Sequence, residues 1–198
     1  MWKVCKKALD RDKTIFEPSR LVIIRPHELA AIFSDDNGPI PFPDFEERFK
    51  MTRAHGRWFV NSDFEIGEPK IISPLIIVKA ANQYGKSLQS FLNLIKRVDG
   101  YDKDKLEKRQ LLLAMVLANR PERFLKVNDP ENWKPIVDYH LMRVGLRLGI
   151  VELSTRQRYL IKNRLWVSME DEDDVRLKTR DSVQEIIKLS GKPMSFVD

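Results

Sequence analysis

The chain has 198 residues, of which 42% are apolar and 32% charged, a composition typical of a globular protein with one sizeable core. No uninterrupted apolar stretch approaches the roughly 18 to 20 residues that a membrane-spanning helix needs, and the charged beginning lacks the apolar run of a secretory signal. One cysteine cannot form an intrachain disulfide, and three histidines add little toward a structural zinc site. We therefore expect a cytoplasmic protein that neither spans a membrane nor holds a metal or another cofactor.

The positive charge is concentrated in one part of the chain. Residues 101–165 contain 14 Lys and Arg against 8 Asp and Glu, a balance of +6 that equals the net charge of the whole chain. A basic sector of this kind neutralises phosphates and releases their counterions, which predicts an anionic partner such as nucleic acid. The alternative is a solvated basic surface with no such partner.

Prolines punctuate the first 70 residues, which predicts an irregular N-terminal region with brief helices and strands; they are Pro18, Pro26, Pro39, Pro41, Pro43 and Pro69. The segment that follows Pro26, HELAAIF, predicts one short helix, because proline is well placed in a first helical turn. The GRWFV run at 56–60 fits a strand or a buried loop, since five apolar-leaning residues do not separate the two.

Helical spacing begins at Ser73 and Pro74, which resemble an N-cap and a first helical residue; that helix is expected to end near Gly85. A second helix is predicted over 86–98. A third, over 103–119, is so rich in leucine that we expect it to be the central and most buried helix.

Three more helices are predicted over 137–151, 154–165 and 168–189. The acidic run EDEDD at 170–174 falls in the first turn of the last helix, where carboxylates favour the helix dipole, and Gly191 is placed to end that helix. The predicted fold is mainly α, with a helical domain over 71–198 and the irregular region 1–70 packed on it.

One segment carries a specific signal. Residues 137–150, VDYHLMRVGLRLGI, resemble the V-D-x-H-V-x-R-V-x-x-R-L-G-[LIV] stretch of helix-hairpin-helix DNA glycosylases of the endonuclease III type, with eight identities at fixed spacing. The resemblance implies a glycosylase-like helical bundle that cleaves the N-glycosidic bond of a damaged or modified base, with Asp138 as the catalytic carboxylate at the mouth of a cleft. It also implies a nucleic-acid partner, DNA more than RNA.

The position of Asp138 supports a chemical role independently of the resemblance. A carboxylate at a helix start accepts hydrogen bonds from free backbone amides and stays ionised, so it can stabilise a cationic sugar or orient an attacking water. The alternative is that Asp138 only caps its helix.

The candidate substrate-binding residues are Trp133, Tyr139, His140 and Arg143. Trp133 or Tyr139 can stack on a base, and Arg143 can hold a phosphate, as can Arg147 one turn later. His140 belongs to the resembling motif, but we assign it no acid or base chemistry. Alternatively, the two rings anchor the side chains in the core or at the surface, the histidine makes only a local hydrogen bond, and the arginines form salt bridges.

The chain departs from the family in three ways. It lacks the glycine-rich hairpin L-P-G-[VI]-G; upstream of the aspartate stands NRPERFLKV, 119–127, without a glycine. The lysine with which bifunctional members form a Schiff base has no obvious equivalent in this chain. Our candidate is Lys108, which lies in a run loosely similar to a segment of an archaeal 8-oxoguanine glycosylase branch. The alternative is that Lys108 is a solvated lysine on a helix. No four-cysteine iron–sulfur motif is present.

Two other functions remain open from the sequence. Residues 137–140, VDYH, also resemble the A-D-Y-R sequence of queuosine salvage N-glycosylases, which implies a nucleotide or nucleoside substrate. A non-enzymatic nucleic-acid-binding protein on the same scaffold is the third reading, because fold and function separate easily.

Overall fold

The structure is a computed structural model that describes residues 2–34, 40, 43–61 and 75–194. Within these ranges the chain forms ten α-helices and one short 3-10 helix, Pro130–Asn132, and no strand. The α-helices in chain order are α1 Trp2–Arg11, α2 Pro18–Ile23, α3 Pro26–Phe33, α4 Phe45–Asn61, α5 Leu75–Gln83, α6 Leu88–Ile95, α7 Lys108–Asn119, α8 Tyr139–Leu148, α9 Thr155–Lys162 and α10 Met169–Ser190. The mainly helical class predicted from the sequence is confirmed.

The chain divides into two compact units. The first comprises Met1–Gly85 and Asn93–Lys103, and the second comprises Lys86–Leu92 and Asp104–Asp198. The boundary between 70 and 71 expected from the sequence differs from this division, because the first unit continues through α5 and also includes the end of α6.

The first unit has a small core formed by helices that the proline-rich sequence did not reveal. Ile15, Ile24, Leu29 and Ile32 are buried together, with partly buried Cys5, Ala8, Leu21, Phe33, Phe45 and Phe49 around them. The helix expected after Pro26 is confirmed as α3. Because α1, α2 and α4 also belong to this region, its described part is helical rather than irregular.

The GRWFV run at 56–60 is part of α4, and its glycine, Gly56, lies against α2. This glycine lies inside α4, and a Cβ atom there would come within 2.8 Å of both the Pro18 carbonyl oxygen and the Val22 amide nitrogen of α2. Arg53, on the same helix, donates from Nε to the Val22 carbonyl at 2.8 Å. The strand and loop interpretations of residues 56–60 are therefore wrong: the glycine permits close helix packing.

The expectation that the leucine-rich helix would be the most buried is also wrong. In α7 only Gln110, Leu111 and Ala114 are buried, whereas Leu112 and Val116 are 48% and 36% exposed. Helix α5 buries five residues. The predicted cap of α5, Ser73 and Pro74, lies outside the described residues.

In the second unit, α8, the turn after it and α9 are held against α10. Gly149 ends α8 in the left-handed conformation, with φ +69°, and the chain then places Val151 beside Gly145. Ser182 of α10 donates from Oγ to the Ile150 carbonyl at 3.0 Å. A capping box between Ser154 and the buried side chain of Gln157 starts α9.

The acidic run at 170–174 has the structural role that the sequence predicted. Ser168 caps α10 by accepting the Asp171 amide, and the first turn contains Glu170, Asp171 and Glu172. Gln157 Nε2 donates to Asp174 Oδ2 at 2.8 Å, and Lys105 lies 3.3 Å from Asp173. These carboxylates join α9 and the start of α7 to α10. Gly191 ends α10 as expected.

Candidate functional site

Asp138 is the N-cap of α8. Its Oδ1 accepts a hydrogen bond from the Leu141 amide at 2.9 Å, and its backbone is extended, as an N-cap requires. The side chain is half-buried, next to the fully buried Val137. The second carboxylate oxygen, Oδ2, has no hydrogen-bond or ion-pair partner among the described residues. The carboxylate therefore both caps a helix and keeps one oxygen available.

Helix α8 does not bury all of its large apolar side chains. Val144 is 47% and Leu148 69% exposed. Gly145 is buried, and a Cβ atom there would lie 3.1 Å from Val151 Cγ2, so the lack of a side chain allows close packing. Two large apolar side chains consequently lie at the surface of α8.

Arg143 and Arg147 share this exposed part of α8. Both are exposed, and neither has a carboxylate partner in the part of the chain that the structure describes. The salt-bridge alternative for these two arginines is therefore not realised there. Two unpaired guanidinium groups one turn apart are suited to binding phosphate oxygens.

The rings of Tyr139 and His140 contact each other at a tilt at the start of α8. Their ring centroids are 3.9 Å apart with planes inclined by 35°, and Tyr139 is 58% exposed. The histidine makes no side-chain hydrogen bond within the described residues, so the local-hydrogen-bond alternative does not apply there. The pair gives the helix start exposed aromatic rings next to Asp138 in the chain.

The basic character continues through α9. Arg158, Lys162 and Arg164 are exposed, and none of them pairs with a carboxylate among residues 75–194. Two aromatic side chains accompany them, Tyr159 at 61% and Trp166 at 92% exposure. We use the name α8–α9 surface for the exposed cations and aromatic side chains of α8, of α9 and of the segment that follows α9: Arg143, Arg147, Arg158, Tyr159, Lys162, Arg164 and Trp166. Cations interleaved with aromatic rings are typical of surfaces that bind single-stranded nucleic acid.

Lys108 lies at the first position of α7 and is half-buried. No hydrogen bond or ion pair joins it to Asp138 or to any other described residue. The structure thus gives no link between the two residues predicted to be catalytic.

A large cavity in the second unit contains Trp133. It encloses about 640 Å³, within the range of small-molecule sites, and Asp138 is not among its described lining residues. The lining residues are Lys86, Met115, Ala118, Asn119, Arg123, Leu125, Lys126, Val127, Asn128, Pro130, Trp133, Pro193 and Met194. Three of them are cations, and none of those described is acidic.

Two of these cations have an unusual backbone. Lys86 has φ +53° and Arg123 has φ +44°, two of the four described non-glycine residues in the left-handed region. This conformation costs a side-chain-bearing residue about 1 to 2 kcal/mol. Such positions are concentrated at functional sites, where surrounding structure fixes them.

Asp129 fixes the loop that forms one wall of the cavity. It accepts hydrogen bonds from Ser87 Oγ and the Leu88 amide, both at 2.7 Å, and from Asn132 Nδ2 at 2.9 Å. Burial alone would raise the pKa of Asp129, but these hydrogen bonds outweigh it and hold the pKa below its ordinary value. The carboxylate therefore stays ionised and joins the loop to the start of α6.

Sequence reasoning identified Trp133 but missed Lys86, Arg123 and Lys126. For Arg123 and Lys126 the only sequence signal is a basic, glycine-free segment, 119–127, followed by Asp129, and Lys86 lies outside that segment. A loop folded by long-range hydrogen bonds leaves no periodic pattern, so the cavity was not predictable.

Two general findings bear on the class of site. Of the helices in the described residues, none has the combined length and hydropathy that crossing a bilayer requires. Within 2–34, 40, 43–61 and 75–194, His, Cys, Asp and Glu side chains form no group of three suited to holding a metal ion.

No known protein-family model matches this chain, and no curated protein is significantly similar to it.

Proposed function

We propose that this chain is an N-glycosylase that acts on a damaged or modified base in nucleic acid. The observation that carries the proposal is Asp138, whose Oδ1 is held by the Leu141 amide while Oδ2 is without a partner in the described part of the chain. The capping hydrogen bond orients the carboxylate.

The hydrolysis requires Asp138 to stabilise positive charge and to orient a water molecule. As the bond between the sugar C1′ and the base nitrogen breaks, positive charge develops on the sugar, and a fixed carboxylate stabilises it. A water oriented by the same carboxylate then adds to C1′, and its proton leaves with the base. Lys108 is not needed for this hydrolysis, and its role as a Schiff-base nucleophile remains a prediction.

The α8–α9 surface supports the choice of nucleic acid as the partner. Arg143 and Arg147 follow Asp138 on its own helix, so phosphates bound there would flank the nucleotide whose glycosidic bond is hydrolysed beside the carboxylate. The target base has to leave its stack to be reached, and the Tyr139–His140 pair offers a ring on which it can rest.

Cleavage assays with matched variants test the proposal. Single- and double-stranded oligonucleotides bearing uracil, 8-oxoguanine or an abasic site, and free mononucleotides, are incubated with wild type and Asp138→Asn. Asparagine retains the capping oxygen, so we expect the variant to fold and bind while base release falls at least about a hundredfold. Equal base release by the two proteins would refute the role of Asp138, and release only from mononucleotides would favour the nucleotide glycosidase.

A non-enzymatic nucleic-acid-binding protein is the second candidate. The observation that favours it is that the Leu141 hydrogen bond fully accounts for Asp138 as an ordinary cap. Binding without turnover on every substrate would support this function. For both candidates, Arg147→Glu should weaken oligonucleotide binding and reduce its salt dependence, whereas Lys188→Glu on α10 should not.

A further inference from the structure

We infer that the cavity around Trp133 is a binding site for a phosphorylated nucleoside. This inference concerns binding alone and does not rest on glycosidic cleavage at Asp138, which is not among the residues that line the cavity.

The charge of the lining selects an anion. Lys86, Arg123 and Lys126 contribute three cations, and no carboxylate accompanies them among the described lining residues. Neither Lys86 nor Arg123 has an ion-pair partner in the described part of the chain. A guanidinium group without a partner binds phosphate through two parallel hydrogen bonds, which makes a phosphate the natural ligand for Arg123.

The rest of the lining selects a flat ring. Trp133 is half-buried, and buried Leu125 and Met194 contribute apolar surface on which an aromatic ligand can pack. Asn119 and Asn128 supply amide groups that can hydrogen-bond ring edges. A ligand with an aromatic ring at one end and a phosphate at the other satisfies both parts of the lining, and the volume of about 640 Å³ accommodates it.

The site is built rather than incidental. The Asn128 amide donates to the Lys86 carbonyl at 2.8 Å, and Asp129, beside Asn128, anchors the start of α6. These bonds bring Lys86 to a loop that lies some forty residues further along the chain. The Lys86 carbonyl that accepts from Asn128 belongs to a residue with a left-handed backbone, φ +53°.

Isothermal titration calorimetry on the full chain tests the inference. AMP, GMP and UMP are titrated first, and then ribose 5-phosphate, adenosine and inorganic phosphate. We expect the mononucleotides to bind, Arg123→Glu to weaken AMP binding at least about tenfold, and the control Lys188→Glu to bind as wild type. Trp133→Ala should weaken AMP far more than ribose 5-phosphate, because only AMP carries an aromatic base that can stack.

Three results would overturn the inference: no binding of any mononucleotide at about 1 mM ligand, AMP affinity unchanged in Arg123→Glu, or equal losses for AMP and ribose 5-phosphate in Trp133→Ala. A short oligonucleotide that competes with AMP would identify the bound group as part of a strand, and failure to compete would identify a free nucleotide. AMP affinity in Arg123→Glu and base release in Asp138→Asn are measured separately, so the failure of this site and the failure of the proposed cleavage are separate results. Far-UV circular dichroism establishes that each variant folds.

Discussion

Replacing Asp129 should destabilise the second unit measurably. Asp129→Ala removes three short hydrogen bonds, from Ser87, Leu88 and Asn132, together with a longer one at 3.5 Å from the Gln89 amide. Each short bond contributes on the order of 1 kcal/mol net, and water replaces part of the loss at this partly buried site. We therefore expect the free energy of unfolding to fall by about 2 to 3 kcal/mol.

Urea denaturation followed by circular dichroism measures this change. Asp129→Asn keeps an oxygen acceptor without the charge and should lose only about 1 kcal/mol. The control is Asp181→Ala, which removes an exposed ion pair with Arg180 and should change stability by less than about 0.5 kcal/mol. If Asp129→Ala stays within about 0.5 kcal/mol of wild type, the hydrogen bonds do not hold the loop and our account of the cavity wall is wrong.

The same carboxylate predicts a pH dependence. The hydrogen bonds lower the pKa of Asp129 in the folded protein below its ordinary value of 3.8, so its ionised form stabilises the fold above that pH. The stabilisation should be lost as the pH falls from 3.8 through the folded-state pKa. Asp129→Asn should lack this component, and parallel pH profiles for wild type and variant would contradict the assignment.

Three further substitutions test the packing and the caps, each by urea denaturation. Gly56→Ala should destabilise by about 1 to 3 kcal/mol because the added methyl would meet the α2 backbone, and a neutral effect would mean that α2 and α4 can separate at little cost. Gly149→Ala should lose about 1 kcal/mol at a φ of +69°, and a gain would contradict the left-handed cap. Asp138→Ala should lose about 1 kcal/mol while Asp138→Asn loses a few tenths, and equal losses would mean that the charge, rather than the capping oxygen, stabilises α8.

Local signals in the sequence predicted the helices that have clear caps. Ser168 caps the start of α10, Gly191 ends that helix, and Pro26 begins α3. Each of these residue types starts or ends a helix through its own side chain or backbone. Where a helix depends on a distant partner, the sequence was misleading. Gly56 resembles a breaker, yet it permits α4 to approach α2.

The candidate site was predictable only in part. The position of Asp138 as an N-cap follows from Pro135 upstream and the apolar spacing downstream, and the structure has it there. The burial of α8 was not predictable, because Gly145 carries no hydrophobic signal although it is the residue that turns inward. The sequence did not predict the cations of the cavity, because the hydrogen bonds of Asp129 join segments about forty residues apart in the chain.

The order in which the chain visits its two units limits how the protein can be dissected. The chain passes from one unit to the other after Gly85, after Leu92 within α6, and after Lys103. No single cut separates the units: a fragment ending at Lys103 would carry away residues 86–92, and with them Lys86 and the Leu88 amide that Asp129 binds. A fragment that begins at Asp104 would therefore lack part of the second unit, and point substitutions are the suitable tool for this chain.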